Sequence, residues 1–273
     1  MTRLSDELFR IVTGTAFGVH DMDWMHRHMP EDGSVSVRDI TSKLACIGIQ
    51  GPRSREILAS VCEDDLSNEA FGYMRAREIT VGDVPCLALR VTYVGELGWE
   101  LYPPMEFGGE LWDALFEAGK VHGLVPAGYR AIDSMRLEGG FLAWAADITP
   151  ETNPYEAGLG FAVKLGKGDF IGKAALEKVK VEGSLRRLSC LVLAEADVAA
   201  LGNEPVRVEG LVVGRVTSGG IGYSVGKSIA YAYLPSDFAE PGTRLNVEVF
   251  GEEVPAEVVS GPIWDPKHER VKA

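Results

Sequence analysis

From Gly183 onward the chain breaks into six short β-rich runs: 188–193, 205–208, 211–217, 228–233, 245–249 and 254–259. Glycine or proline turns fence each of them. Runs of this length and spacing pair as antiparallel strands, and a small sheet of them removes its exposed edges by closing on itself. The pattern predicts a small antiparallel β-barrel at the carboxyl end. Its abrupt start puts a domain boundary near 181–185, dividing residues 1–182 from 183–273.

Upstream, strand and helix periods mix, so the fold class expected is α+β. Residues 8–14 and 44–49 read as strands. His20–His28 reads as a helix closed by Pro30 and Gly33. Pro52 sits in the first turn of a helix running to about Val61. Phe107, Leu111, Trp112, Leu115 and Phe116 recur at helical spacing and predict a helix over 106–119. Ala127–Gly139 is the next, stopped by Gly139-Gly140. Residues 144–156 hold two prolines and read as loop, and Asp169–Lys180 as a last short helix.

The stretch with most chemistry is Tyr93-Val-Gly-Glu-Leu-Gly-Trp-Glu100. Leu87–Thr92 reads as a strand, Trp99–Tyr102 as its return, and Gly95 and Gly98 bracket the turn. If the two glycines pair, Tyr93 lies directly across from Glu100, with Cβ atoms ~5 Å apart. A ring beside a carboxylate suits a flat heterocycle with an amidine-like donor edge, such as a pterin or a guanine. An ordinary cross-strand Tyr–Glu pair is the plainer alternative.

This segment and four later ones, in the same order, resemble the aminomethyltransferase (glycine cleavage T-protein) family, above all the folate-binding part of dimethylglycine and sarcosine dehydrogenases. The four are Ala127-Gly-Tyr-Arg-Ala-Ile-Asp-Ser-Met-Arg-Leu-Glu138, Asn153-Pro-Tyr-Glu-Ala-Gly-Leu-Gly-Phe-Ala-Val-Lys164, Asp169-Phe-Ile-Gly-Lys173 and Gly214-Arg-Val-Thr-Ser-Gly-Gly220. The likeness implies a T-protein-like, folate-binding domain, amino-terminally truncated, ahead of the barrel. It implies tetrahydrofolate as cosubstrate, with Glu100 on the pterin ring and Tyr93 stacked on or bonded to the folate. Arg136 would face the ligand, although Asp133 three residues earlier also offers a solvated ion pair. Arg130 matches the dehydrogenase form of the motif. Trp144 and Tyr155, with Asp147 between them, sit on a loop where aromatics line a ring slot or simply pack. Glu138 reads as a structural acceptor, and Arg215 as a barrel surface charge or a contact for a folate carboxylate.

Family members carry a further amino-terminal stretch holding an Asp in a Gly-Gly-x-x-x-Asp-x-Thr type segment that helps activate the transfer. Met1–Phe9 matches the residues just after it, so the family's acid is expected upstream of Met1, and Asp6 falls too far along to replace it. No catalytic residue is assigned. The resemblance thus implies a tetrahydrofolate-dependent methyl- or aminomethyltransferase working with an amine dehydrogenase or a complementary subunit. The alternative is a catalytically silent folate-binding or scaffold subunit. An uncovered core face in the shortened domain predicts oligomerisation.

Charge and composition narrow the classes further. A formal net charge of −13 disfavours a nucleic-acid partner and means that a polyanionic folate tail needs a local basic patch. No run approaches the ~18 apolar residues of a membrane helix, and the start lacks the apolar core of a signal peptide. Cys46, Cys62, Cys86 and Cys190 show no Cys-x-x-Cys spacing; Cys46 and Cys86 fall in apolar runs and read as buried thiols in a reducing cytoplasm.

Three tempting motifs fail. Gly222-Tyr-Ser-Val-Gly226-Lys227-Ser228 is one residue short of a P-loop and runs into a strand rather than a helix. Gly158-Leu-Gly160 lacks the third glycine of a dinucleotide fingerprint. His26-Arg-His28 with Asp21 and Asp23 reads as a polar helix face, so no metal is assigned. The folate-using iron–sulfur maintenance proteins carry a cysteine where Lys167-Gly-Asp169-Phe stands, which disfavours them.

Overall fold

The computed structural model describes residues 1–273, which form two compact units. The first comprises Met1–Thr92, Leu97–Val125 and Val271–Ala273. It opens on a two-stranded ribbon of β1 (Thr2–Arg3) and β2 (Phe9–Arg10), so the strand expected over 8–14 shrinks to two residues. Helix α1 (Gly18–His28) follows and buries none of its side chains. Next come β3 (Ile47–Gln50), α2 (Ser54–Ala59), β4 (Ala76–Val81), β5 (Val84–Leu89), β6 (Gly98–Tyr102) and α3 (Gly108–Gly119). The strands form one antiparallel sheet in the order β3-β6-β5-β4. Sequence reading passed over β4.

Alternation along the strands decides which face of this sheet is core. Trp99 and Leu101 of β6 pack with Ile49, Ile79, Val81, Cys86 and Ala88, under Ile57 and Leu58 of α2 and Leu111 and Leu115 of α3. Trp112 stays exposed and stacks on Phe116 instead of joining the core. Trp99 is fully buried, with the guanidinium carbons of Arg55 and Arg90 each 5.7 Å from its ring centroid. Glu100 and Tyr102 fall on the opposite face.

Pairing between β5 and β6 corrects the expected hairpin. Leu89, not Tyr93, stands across from Glu100, and the connection runs from Arg90 to Leu97. Arg90 is the physical reason. Its buried guanidinium donates to Asn68 Oδ1, the Phe71 carbonyl and the Ala273 carbonyl, and a buried cation needs such acceptors. Its backbone stays bonded to Arg75 and Met74, so the chain leaves the β6 ladder at this point. Gly98 is also not a turn residue. A Cβ there would lie 2.4 Å from the Ile49 carbonyl oxygen, so glycine permits close approach of β3. Gly95, at φ +72°, is the one that supplies turn geometry.

The second unit comprises Tyr93–Glu96 and Pro126–Arg270. It holds α4 (Tyr129–Glu138), α5 (Lys173–Glu182) and six strands: β7 (Arg186–Leu193), β8 (Pro205–Val208), β9 (Leu211–Gly222), β10 (Lys227–Pro235), β11 (Arg244–Val249) and β12 (Glu252–Val259). These close into an antiparallel barrel in the order β10-β7-β12-β11-β8-β9. Leu191, Val206, Val216, Ala232, Leu234, Val247 and Val258 fill its interior. Helix α4 covers the barrel wall, packing Leu137 against Cys190, Ile229 and Tyr231. Burial pushes the Cys86 thiol up to about 12 and the Cys190 thiol up to about 11, whereas Cys46 is exposed, against the sequence expectation. No helix is long and apolar enough to cross a membrane.

Replacing Gly98 with alanine forces β3 and β6 apart. The variant is expected to lose about 1–3 kcal/mol in urea unfolding.

Candidate functional site

Strand β6 exposes a carboxylate on the sheet face turned away from the core. Glu100 is half-buried, and its Oε2 accepts a 2.5 Å hydrogen bond from the Tyr102 hydroxyl, two residues along the same face. Burial, and then the carboxylate itself, raise the Tyr102 pKa, so the phenol stays a donor. The Arg10 guanidinium carbon lies 6.0 Å from the Tyr102 ring centroid. Across the ladder, Glu100 faces Gly48 and Leu89. A carboxylate placed this way accepts paired N–H donors from a planar ligand.

The end of α4 sets the chemistry of the other unit. Arg136, Leu137 and Glu138 are consecutive and all buried. At ~100° per residue they cannot share a partner, so the helix end is enclosed on several sides. Arg136 donates from Nε to Asp133 at 2.8 Å and from Nη1 to Asp147 at 2.6 Å. Only the first bond is the pair the sequence suggested. Asp147 is fully buried, and it also accepts from the Ala143 amide at 2.9 Å, Thr217 Oγ1 at 2.6 Å and Ser218 Oγ at 2.5 Å. Its own carbonyl accepts from the Tyr233 hydroxyl at 2.9 Å. Glu138 Oε1 accepts from the amides of Ser224 and Val225 at 2.6 and 3.0 Å, in the very turn that imitated a P-loop.

This network holds the 141–148 loop, and the loop displays aromatic rings. Trp144 stands 46% exposed beside Ala145, which is held at φ +73°. Tyr93 spends its hydroxyl on the Leu142 carbonyl at 3.1 Å and leans on Phe141, with ring centroids 5.9 Å apart. Burial raises its pKa above that of a free phenol. What Tyr93 has left to offer is a ring face. Tyr155 is half-buried, and a Cβ on Gly160 would come within 2.9 Å of its ring. Arg130 is exposed in the first turn of α4. Arg215 is also exposed, beside Arg186, Thr217 and Tyr233 in a groove of about 480 Å³ on the barrel wall. Arg186 lies over the Tyr233 ring at 4.9 Å.

Tyr102, Gly48, Thr217 and Ser218 were not singled out from sequence. The period of two on a strand was signal enough to pair Tyr102 with Glu100. Gly48 carries no such signal, because its place opposite Glu100 comes from pairing between distant strands.

A GCVT N-terminal domain model matches residues 1–167, and a glycine cleavage T-protein C-terminal barrel domain model matches residues 186–265. Human mitochondrial dimethylglycine dehydrogenase is 40% identical over 257 residues, covering 93% of this chain and 30% of that protein. An aminomethyltransferase of Symbiobacterium thermophilum is 36% identical over 272 residues, covering 98% of this chain and 72% of that protein. The crystal structure of glycine cleavage system aminomethyltransferase T from Bartonella henselae superposes with a TM-score of 0.71 at 28% identity, over 81% of this chain and 59% of that one. The chain therefore spans about 30% of the length of the dehydrogenases it matches.

Removing one partner of the Arg136–Asp147 pair strands the other charge in the interior. Asp147→Ala is expected to cost about 3–5 kcal/mol in urea unfolding. The double variant Arg136→Met/Asp147→Ala should cost less than the sum of the two single changes, which a double-mutant cycle measures.

Proposed function

The chain belongs to the glycine cleavage T-protein family, and from that premise we propose that it is the folate-using part of a tetrahydrofolate-dependent methyl- or aminomethyltransferase. It would serve amine demethylation or glycine cleavage. The observation that carries this reading is the half-buried Glu100, held by Tyr102 on a sheet face that is not core. Its carboxylate accepts the 2-amino and ring N–H donors of a pterin, and charge assistance strengthens both bonds.

In such a transfer a folate nitrogen attacks an iminium carbon, whose C=N π pair returns to its nitrogen, or displaces the amine of an aminomethyl carbon, which leaves with the bonding pair. In each case the amine nitrogen takes up the proton the folate nitrogen gives up. The chain's own residues contribute orientation, an effect worth up to ~7–11 kcal/mol when the reacting atoms are held close. Glu100 fixes the ring by its edge. Within the second unit, Tyr93 and Trp144 present ring faces, and stacking on such a face is worth on the order of 1 kcal/mol. Arg136 supports the 141–148 loop through Nε and Nη1, bonded to Asp133 and Asp147, and its Nη2 donors are the ones it would turn to the folate. Arg130 and Tyr155 stay as outer contacts of the folate, and the Arg186–Arg215 groove is basic enough to receive a carboxylate.

Leu8, Phe9, Ile11, Val12, Val19 and Trp24 of the first unit are all at least 48% exposed, which supports a partner subunit, such as an amine dehydrogenase or a complementary chain. Four free cysteines agree with a reducing, cytoplasmic setting.

Calorimetric titration with tetrahydrofolate should give saturable heat, and Glu100→Ala should weaken binding about 10- to 100-fold, the loss of one or two charge-assisted bonds. No heat at millimolar ligand would overturn the reading. Size-exclusion chromatography should show an oligomer or a complex; a well-behaved monomer would remove the partner clause.

A further inference from the structure

Glu100 has two neighbours of opposite character, and together they decide what the carboxylate can accept. Gly48 stands directly across the β3–β6 ladder. Opposed residues of an antiparallel pair project to the same face, so any side chain at 48 would occupy the flank of Glu100. Neither backbone nor packing requires a glycine there. Gly48 is exposed, lies outside the left-handed region, and an added Cβ would meet nothing nearer than Gln50 Nε2 at 4.0 Å. Glycine weakens a strand, yet this one leaves an open slot beside the acid.

On the same face, Tyr102 is 8% exposed and donates to Glu100 Oε2. Its ring is hemmed in by Arg10 and by the Cys46 thiol, which meets its hydroxyl. A carboxylate offers about four lone-pair sites, and the phenol takes one while fixing the rotation of the group. The rest remain available to donors arriving through the slot.

We propose that Tyr102 and Gly48 make Glu100 selective for a planar 2-amino-4-oxo-pyrimidine edge, Tyr102 as a positioning residue and Gly48 as the opening that admits the ring. This inference rests on the reading of Glu100 as the acceptor of a pterin. It adds the two residues that set the carboxylate's orientation and its access.

The test titrates the intact chain with tetrahydrofolate and with its 2-desamino analogue, following tryptophan fluorescence, with thermal unfolding of each variant as the folding control. Tyr102→Phe should weaken tetrahydrofolate about tenfold, narrow its advantage over the analogue by a similar factor, and have no further effect in a Glu100→Gln background. Gly48→Val should weaken tetrahydrofolate by more than about tenfold while melting no lower than the parent, since valine suits a strand. If Tyr102→Phe acts equally in both backgrounds, Tyr102 is a packing residue and the proposal falls. Wild-type binding by Gly48→Val would refute the slot. Glu100→Gln that binds like the parent defeats the pterin reading itself, whereas loss in Glu100→Gln with none in the other two defeats this proposal alone.

Discussion

Side chains alternate across a strand, and β6 uses that constraint to join core and candidate site within five residues. Trp99 and Leu101 anchor the hydrophobic interior of the first unit, and Glu100 and Tyr102 necessarily face the other way. A shift of one residue in the β3–β6 register would bury the acid and expose the tryptophan. Close approach at Gly98 and the two arginines beside Trp99 hold that register. The position of the carboxylate is thus a consequence of core packing.

Charge burial plays the same part in the second unit. Asp147 receives bonds from Arg136, Ala143, Thr217 and Ser218, so a fully buried carboxylate is satisfied from the helix, the loop and the barrel at once. Such a cluster is costly to disturb and therefore fixes geometry. It keeps the 141–148 loop in the strained course that displays Trp144. Glu138 does the same for the β9–β10 turn. The segment that looked most like a phosphate loop has its amides occupied by the protein's own acid.

Much of the fold was legible in the sequence. All six barrel runs became strands within a few residues of their expected limits, because short alternating runs between turn residues have few other ways to satisfy their backbones. The helix over 106–119 was placed from apolar spacing, and those ending near His28 and Glu138 from their proline or glycine stops. The family followed from five ordered motifs, each weak alone. What misled was local reading of long-range pairing. Tyr93 looked paired with Glu100 because two glycines framed a turn, but buried Arg90 ends the β5 ladder first. Cys46 looked buried for its apolar neighbours, yet the chain before β3 lies open.

Sequence by itself carried the barrel, most helices and the family, and marked the acid at position 100 as a candidate, since these follow from periodicity, turn chemistry and motif order within short stretches. Tertiary structure alone decided that Arg136 meets Asp147, that Glu100 meets Tyr102 and faces Gly48, and that Arg90 meets Asn68 and Phe71. Each of those depends on which distant backbone comes alongside. That choice is made by burial of apolar area and satisfaction of buried charge over the whole unit, quantities that no local window of sequence contains.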